Sequence, residues 1–109
     1  MISPGELRKL FLRELANELR IVWPILSGLL AGQLILGATV GFIEGWPMGS
    51  GAYFTFVTGL TIGYGDLVPK RLSTRLIAVI IGFLGILVTG LVAAVGVRAL
   101  QGATREEGR

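Results

Sequence analysis

The sequence contains no cysteine and no histidine, and only 16% of its residues are charged. Without cysteine there is no disulfide and no thiolate ligand, and without histidine there is no imidazole base or imidazole metal ligand. The serines and threonines therefore lack the usual activating partners of a nucleophile. These absences argue against metal-site and catalytic-triad enzymes, so we expect neither an enzymatic activity nor a cofactor.

Charge is missing altogether from two long stretches, residues 21–43 and residues 76–97. As helices rising ~1.5 Å per residue, each would reach roughly 33 Å, which is enough to cross a hydrocarbon core of ~30 Å. The first stretch is too long for a signal-peptide core, and no small-residue cleavage site follows it. The sequence therefore predicts a membrane protein with two transmembrane helices.

The segment before the first uncharged stretch, GELRKLFLRELANELR, is amphipathic. Its apolar positions recur at intervals of three and four residues and are Leu7, Leu10, Phe11, Leu15 and Leu19. This pattern predicts a helix over residues 1–20 that lies at the inner membrane surface and leads into the first span. A helix packed on a soluble domain is the alternative.

The first span is expected to open with Trp23 and Pro24, because an indole suits the membrane interface and a proline in the first turn removes no needed hydrogen bond. The span then carries two small-xxx-small patterns, GLLAG from Gly28 and GATVG from Gly37. Such patterns let helix backbones approach closely. We interpret both as packing sites only.

The connection between the spans contains a turn-rich stretch, EGWPMGSG, and then a helix-compatible run over residues 52–60 with Ser50 as the expected N-cap. A nine-residue helix covers only about 14 Å and cannot cross the bilayer. It must enter the membrane and stop, and residues 61–69 then return in a non-helical form. The second span is expected to begin at Ser73 or Thr74, either of which could cap it.

Basic residues are unevenly distributed around the two spans. The terminal sides carry Arg8, Lys9, Arg13, Arg20, Arg98, Arg105 and Arg109, whereas the connection carries Lys70, Arg71 and Arg75. The positive-inside rule therefore predicts a multi-pass protein of the cell membrane with both termini in the cytoplasm. The basic residues flank the spans and form no single patch, so the expected partner is the lipid bilayer, with anionic lipid at the cytoplasmic face, and not nucleic acid.

The sextet TIGYGD, Thr61–Asp66, places polar and glycine residues at membrane depth. Irregular backbone is tolerated there only where it is buried in protein or lines water. Gly63 and Gly65 alternate with bulkier residues, and glycine readily adopts left-handed conformations, so successive carbonyls can point the same way. A row of carbonyl oxygens accepts and never donates, so its expected ligand is a bare cation. One strand cannot surround an ion, so several copies of the chain are expected around an axis.

TIGYGD resembles the selectivity-filter signature of potassium channels, which usually has valine at the second position. The resemblance covers roughly Ser50 to Leu100 and is closest to bacterial two-helix channels. It implies an all-α membrane protein with two transmembrane helices, a re-entrant pore helix and an extended selectivity filter, assembled as a homotetramer that conducts K⁺ passively. By position, the residues implied to coordinate K⁺ are Thr61, Ile62, Gly63, Tyr64 and Gly65.

The resemblance also implies roles outside the filter. Gly85 matches the gating hinge of the inner helix, with close packing as the alternative role. The positions implied to line the cavity are Ile86, Thr89 and Ala93, and those implied nearer the cytoplasmic constriction are Ala94 and Val97. A hydrogen bond between Tyr53 and Asp66 is expected to tie the pore helix to the outer end of the filter. Glu44 is interpreted as a boundary charge without a transport role.

Two features depart from the family pattern. Val57 stands where some bacterial members have a glutamate behind the filter, and no arginine-repeat helix precedes the spans, so intrinsic voltage sensing is not expected. The predicted organisation is an interfacial helix over 1–20, a pore domain over 21–100 and a polar cytoplasmic tail over 101–109. A non-conducting structural or regulatory subunit and a less selective cation channel remain as alternatives. A proton-coupled antiporter is disfavoured because neither uncharged stretch contains an ionisable group.

Overall fold

A computed structural model describes residues 3–107, which form three helices: α1 (Pro4–Glu44), α2 (Ser50–Gly59) and α3 (Leu72–Glu107). Within these residues, two helices, α1 and α3, are long and apolar enough to cross a membrane. The prediction of an all-helical protein with two candidate membrane spans is confirmed. Residues 1, 2, 108 and 109, which belong to the predicted N-terminal helix and tail, lie outside the described residues.

Helix α1 passes without a break from the amphipathic segment into the first uncharged stretch. Pro24 therefore lies inside the helix, and its expected place in the first turn is wrong. Helix formation is cooperative, so a helical segment on either side carries the helix through Pro24 although the proline has no N–H for the carbonyl of Arg20. The domain boundary at residues 20 and 21 stays a prediction.

The chain divides into two compact units, and the first combines Met1–Leu26 with Gly90–Arg109. In this unit the carboxylate of Glu18 lies 3.6 Å from Nε of Arg98, and Ala99 and Ala103 are fully buried. An alanine Cβ at Gly102 would lie 2.9 Å from the carboxylate of Glu14. The N-terminal part of α1 therefore packs on the C-terminal part of α3, and its position at the membrane surface stays a prediction.

The second unit, Ser27–Thr89, contains the rest of α1, all of α2 and the first part of α3. Its core is formed by Val40, Phe54 and Ile81, one residue from each helix. The ring of Trp46 meets that of Phe54 edge to face, with centroids 5.1 Å apart. These contacts fix α2 between the two longer helices.

Glycines allow α1 and α2 to approach closely. A Cβ added to Gly51 would lie 2.6 Å from the carbonyl oxygen of Gly37, and one added to Gly37 would overlap the hydroxyl of Thr55. GATVG is thus a packing site, as the sequence predicted. Around the glycines of GLLAG, Gly28 and Gly32, an added Cβ would meet no atom within 4 Å.

Backbone geometry, not side-chain capping, ends α1 and begins α2. Gly45 has a φ of 72°, its N–H donates to Phe42, and the N–H of Trp46 donates to the carbonyl of Gly41, which is the Schellman arrangement. The N-cap of α2 is Gly49, with a φ of 89° and no capping side chain. The expected capping role of Ser50 is wrong, because Ser50 is already the first helical residue.

Candidate functional site

The sextet is non-helical, and each of its six residues is exposed in the single chain. Thr61, Gly63 and Gly65 have φ angles of 62°, 60° and 84°, whereas the residues between them have no positive φ. The backbone therefore alternates in handedness at every second residue. The left-handed conformation of Thr61 was not expected. A β-branched residue is strained in this conformation and keeps it only where the surrounding structure holds it in place.

The start of the sextet is held by the main chain of α2. The carbonyl of Val57 accepts hydrogen bonds from the N–H groups of Ile62, at 2.8 Å, and Gly63, at 3.2 Å. The N–H of Thr61 donates to the carbonyl of Thr58 at 3.1 Å. Val57, which is buried, stands at the position where some channels carry a glutamate. It holds the start of the sextet through its main-chain carbonyl.

The far end of the sextet meets the start of α2. The side chain of Tyr53 lies close enough to the carboxylate of Asp66 that hydrogen bonding to Asp66, followed by desolvation, raises the pKa of Tyr53 above its ordinary value. The two side chains thus lie near each other, and the role of their hydrogen bond as a support of the sextet stays a prediction.

Gly85, the predicted hinge, is buried against the end of α2. A Cβ at Gly85 would overlap the carbonyl oxygen of Gly59, so α2 and α3 touch backbone to backbone at this point. Close packing, the alternative role, is therefore seen directly, and α3 is helical through this position. The five positions assigned to the cavity and constriction are all exposed in the single chain: Ile86, Thr89, Ala93, Ala94 and Val97.

A contact that the sequence did not indicate joins the end of α1 to the beginning of α3. Oε1 of Glu44 accepts hydrogen bonds from the N–H groups of Lys70, at 2.7 Å, and Arg71, at 3.1 Å. The hydroxyl of Thr74 lies 2.7 Å from the same oxygen. Glu44, interpreted as a boundary charge, therefore closes the whole connection between the two spans into a loop with tied ends.

The Glu44 contact also corrects the predicted capping of α3. That helix begins at Leu72, so Ser73 and Thr74 lie within its first turn and neither precedes it. The free amides before the helix are satisfied by Glu44, a residue distant in sequence. Glu44 lies beyond the uncharged stretch 21–43, and these hydrogen bonds, that of Thr74 first, lower its pKa below the ordinary value of 4.5.

The comparisons with known proteins identify the class. A family model described as an ion channel matches residues 25–102, most of the chain and all of the site, and the chain belongs to this family. The expected channel class is confirmed at this level, and membership of the family indicates a membrane channel protein.

Three curated relatives match parts of the chain. Potassium channel subfamily K member 2 from Homo sapiens is 32% identical over 77 residues, which is 70% of this chain and 18% of the relative. Two-pore potassium channel 3 from Arabidopsis thaliana is 41% identical over 54 residues, 45% of this chain and 12% of the relative. Two-pore potassium channel 5 from the same plant is 44% identical over 55 residues, 46% of this chain and 14% of the relative. The chain thus spans less than a fifth of each relative, and no solved structure matches it.

Proposed function

We propose that the chain is the pore-forming subunit of a potassium-selective channel, assembled as a homotetramer. The observation that carries the proposal is the alternation of φ along Thr61, Gly63 and Gly65 in an exposed, non-helical backbone. When handedness alternates in this way, the peptide carbonyls of successive residues turn to the same side. The residues assigned to K⁺ coordination are Thr61, Ile62, Gly63, Tyr64 and Gly65.

The proposed site selects a cation because it offers only acceptors. K⁺ exchanges its water shell for carbonyl oxygens, and repulsion between ions at adjacent positions prevents tight binding from stopping the flow. This is the general mechanism of potassium-channel filters and not a result particular to this chain. Tyr53 and Asp66 are assigned the support of the filter's outer end, which their proximity favours, and the carbonyl end of α2, with its partial negative charge, favours a cation at the inner end.

Exposure of the sextet supports assembly around an axis. In lipid, an exposed and irregular backbone segment would leave its polar groups without partners, which costs several kcal/mol for each group. Four copies that face a common axis would place the sextet around a water-filled path. Ile86, Thr89 and Ala93 are exposed and would line the cavity below it, with Ala94 and Val97 nearer the constriction.

The remaining assignments follow from charge distribution. Both termini are placed in the cytoplasm, with the connection between α1 and α3 on the opposite side and α2 re-entrant from that side. The basic residues of the first twenty positions are placed against anionic headgroups. The names of all three relatives contain the words "potassium channel", which supports K⁺ as the permeant ion.

Reconstitution into liposomes tests the proposal. Purified protein in vesicles with an outward K⁺ gradient is expected to give K⁺ flux that Ba²⁺ blocks, and little flux with Na⁺ in place of K⁺. Comparable Na⁺ flux would instead favour the less selective cation channel. Absence of flux with either ion, in vesicles shown to contain the assembled protein, would favour the non-conducting subunit.

A further inference from the structure

Gln33 lies in the middle of the uncharged stretch of α1 and points into the protein. The residue is only 4% exposed, and Nε2 donates a hydrogen bond of 3.2 Å to the main-chain carbonyl of Ile81 in α3. No role was predicted for this residue from its position in the sequence. Burial of an amide within a membrane span costs free energy unless the amide is hydrogen-bonded, and the bond to Ile81 offsets this cost.

The Ile81 carbonyl occupies a particular place in α3. In an α-helix the carbonyl of residue i accepts the N–H of residue i+4, so this same oxygen is the helical partner of Gly85. Gly85 is the residue whose backbone touches Gly59, the last residue of α2. A Cβ added to Gly59 would also lie 2.8 Å from Nε2 of Gln33. All three helices of the unit therefore meet at one point, directly before the sextet.

This junction can bend at low cost. Helices kink at glycine and where a side chain enters the hydrogen-bond ladder, and both conditions are met here. If the Gly85 N–H moves away, the Ile81 carbonyl keeps Gln33 as a donor, because a carbonyl has two acceptor positions. A pocket of about 200 Å³ beside the contact, lined in part by Gln33, Gly85 and Val88, leaves space for the displacement.

We propose that Gln33 is a positioning residue of the channel: its amide holds α3 at the Ile81–Gly85 turn against the end of α2, and so sets how often the pore is open. The inference rests on the proposed function. The hydrogen bond of Gln33 goes to α3 and not to the backbone of Thr61–Gly65, so the role concerns opening and not the rate at which an open pore conducts.

The test compares single-channel recordings in planar bilayers for the wild type, Gln33→Leu and Gln33→Glu. Loss of the amide in Gln33→Leu is expected to change the open probability about threefold, and at most about twentyfold, with the unitary K⁺ conductance unchanged. Gln101→Leu is the matched control, because Gln101 is exposed, and it is expected to behave as the wild type.

Gln33→Glu distinguishes the hydrogen bond from a general packing role. A protonated carboxyl donates a hydrogen bond and an ionised one does not. In acid, the open probability of Gln33→Glu is therefore expected to equal that of the wild type at the same pH. As the pH rises, the two open probabilities are expected to diverge. The thermal unfolding midpoint of the purified protein should follow the same pH dependence.

Three outcomes would overturn the inference. A conducting wild type with the same open probability as Gln33→Leu would remove the positioning role and leave the proposed function intact. If the open probability of Gln33→Glu relative to the wild type did not change with pH, the hydrogen bond would be excluded as the cause. A wild type that passes no K⁺ would overturn the proposed function as well as the inference, so the two failures are distinguishable.

Discussion

Replacement of Gly63 by alanine tests the filter geometry with little other disturbance. Gly63 has a φ of 60°, and a Cβ built on it would meet no atom within 4 Å. Steric overlap with the subunit is therefore not the effect of the change. What Gly63→Ala alters is the cost of the left-handed conformation, which side-chain-bearing residues adopt with difficulty.

The size of the effect follows from the number of copies. A left-handed alanine costs about 1–2 kcal/mol, so four subunits that share one filter would oppose its geometry by about 4–8 kcal/mol. Since 1.36 kcal/mol corresponds to a factor of ten, the conducting arrangement would lose at least about three orders of magnitude in population. We expect K⁺ flux of Gly63→Ala in liposomes to fall below detection.

Gly45→Ala provides a closely matched control. Gly45 has a φ of 72° and an equally open space for a Cβ, but it lies at the end of α1 and outside the sextet. Both variants should lose a similar amount of thermal stability per subunit, while only Gly63→Ala loses flux. Normal flux in Gly63→Ala, or equal losses of flux in both variants, would refute the assignment of the sextet as the ion pathway.

Two further predictions concern the contacts around the sextet. Glu44→Gln is expected to lower the thermal stability of the purified protein at neutral pH, because Oε1 of Glu44 accepts hydrogen bonds from Lys70, Arg71 and Thr74. Because the pKa of Glu44 is lowered in the folded protein, its contribution to stability is present above pH 4.5 and is lost as the pH falls through the folded pKa. The difference in unfolding midpoint between Glu44→Gln and the wild type should therefore vanish in acid. A difference that does not change with pH would contradict this. Gly85→Ala is expected to cost about 1–3 kcal/mol in thermal unfolding by overpacking against α2; an unchanged unfolding midpoint would disprove the contact.

The parts of the fold that could be predicted were those that depend on residues adjacent in sequence. The absence of charge over residues 21–43 and 76–97 indicated the two candidate spans, because an uncharged helix of this length matches the thickness of the hydrocarbon core. The sextet was also predicted from consecutive residues, because glycines at alternate positions indicate a backbone that adopts left-handed conformations there. Its left-handed residues 63 and 65 follow from the residue type alone.

The capping error at α3 came from an interaction between residues distant in sequence, whereas the error at α2 was local. Ser50, Ser73 and Thr74 are ordinary capping residues, and local rules assign them to the nearest helix start. In the structure a left-handed glycine begins α2, and a carboxylate from the end of α1 satisfies the amides before α3. Glu44 had one available signal, a lone acidic residue directly after an uncharged span, but its partners lie 26 and 27 residues further along the chain.

The helical glycines provide an argument about assembly that no single contact gives. A glycine within a helix costs roughly 0.5–1 kcal/mol relative to alanine, so each one needs a compensating interaction. Gly37 and Gly85 have theirs within the chain, where α1 and α3 touch α2. Other helical glycines face open space in the single chain, namely Gly28, Gly32, Gly82, Gly90 and Gly96. Lipid gives no compensation specific to glycine, whereas a neighbouring helix that approaches closely does. The expected compensation is contact with other subunits, which is the arrangement that the exposed sextet also requires.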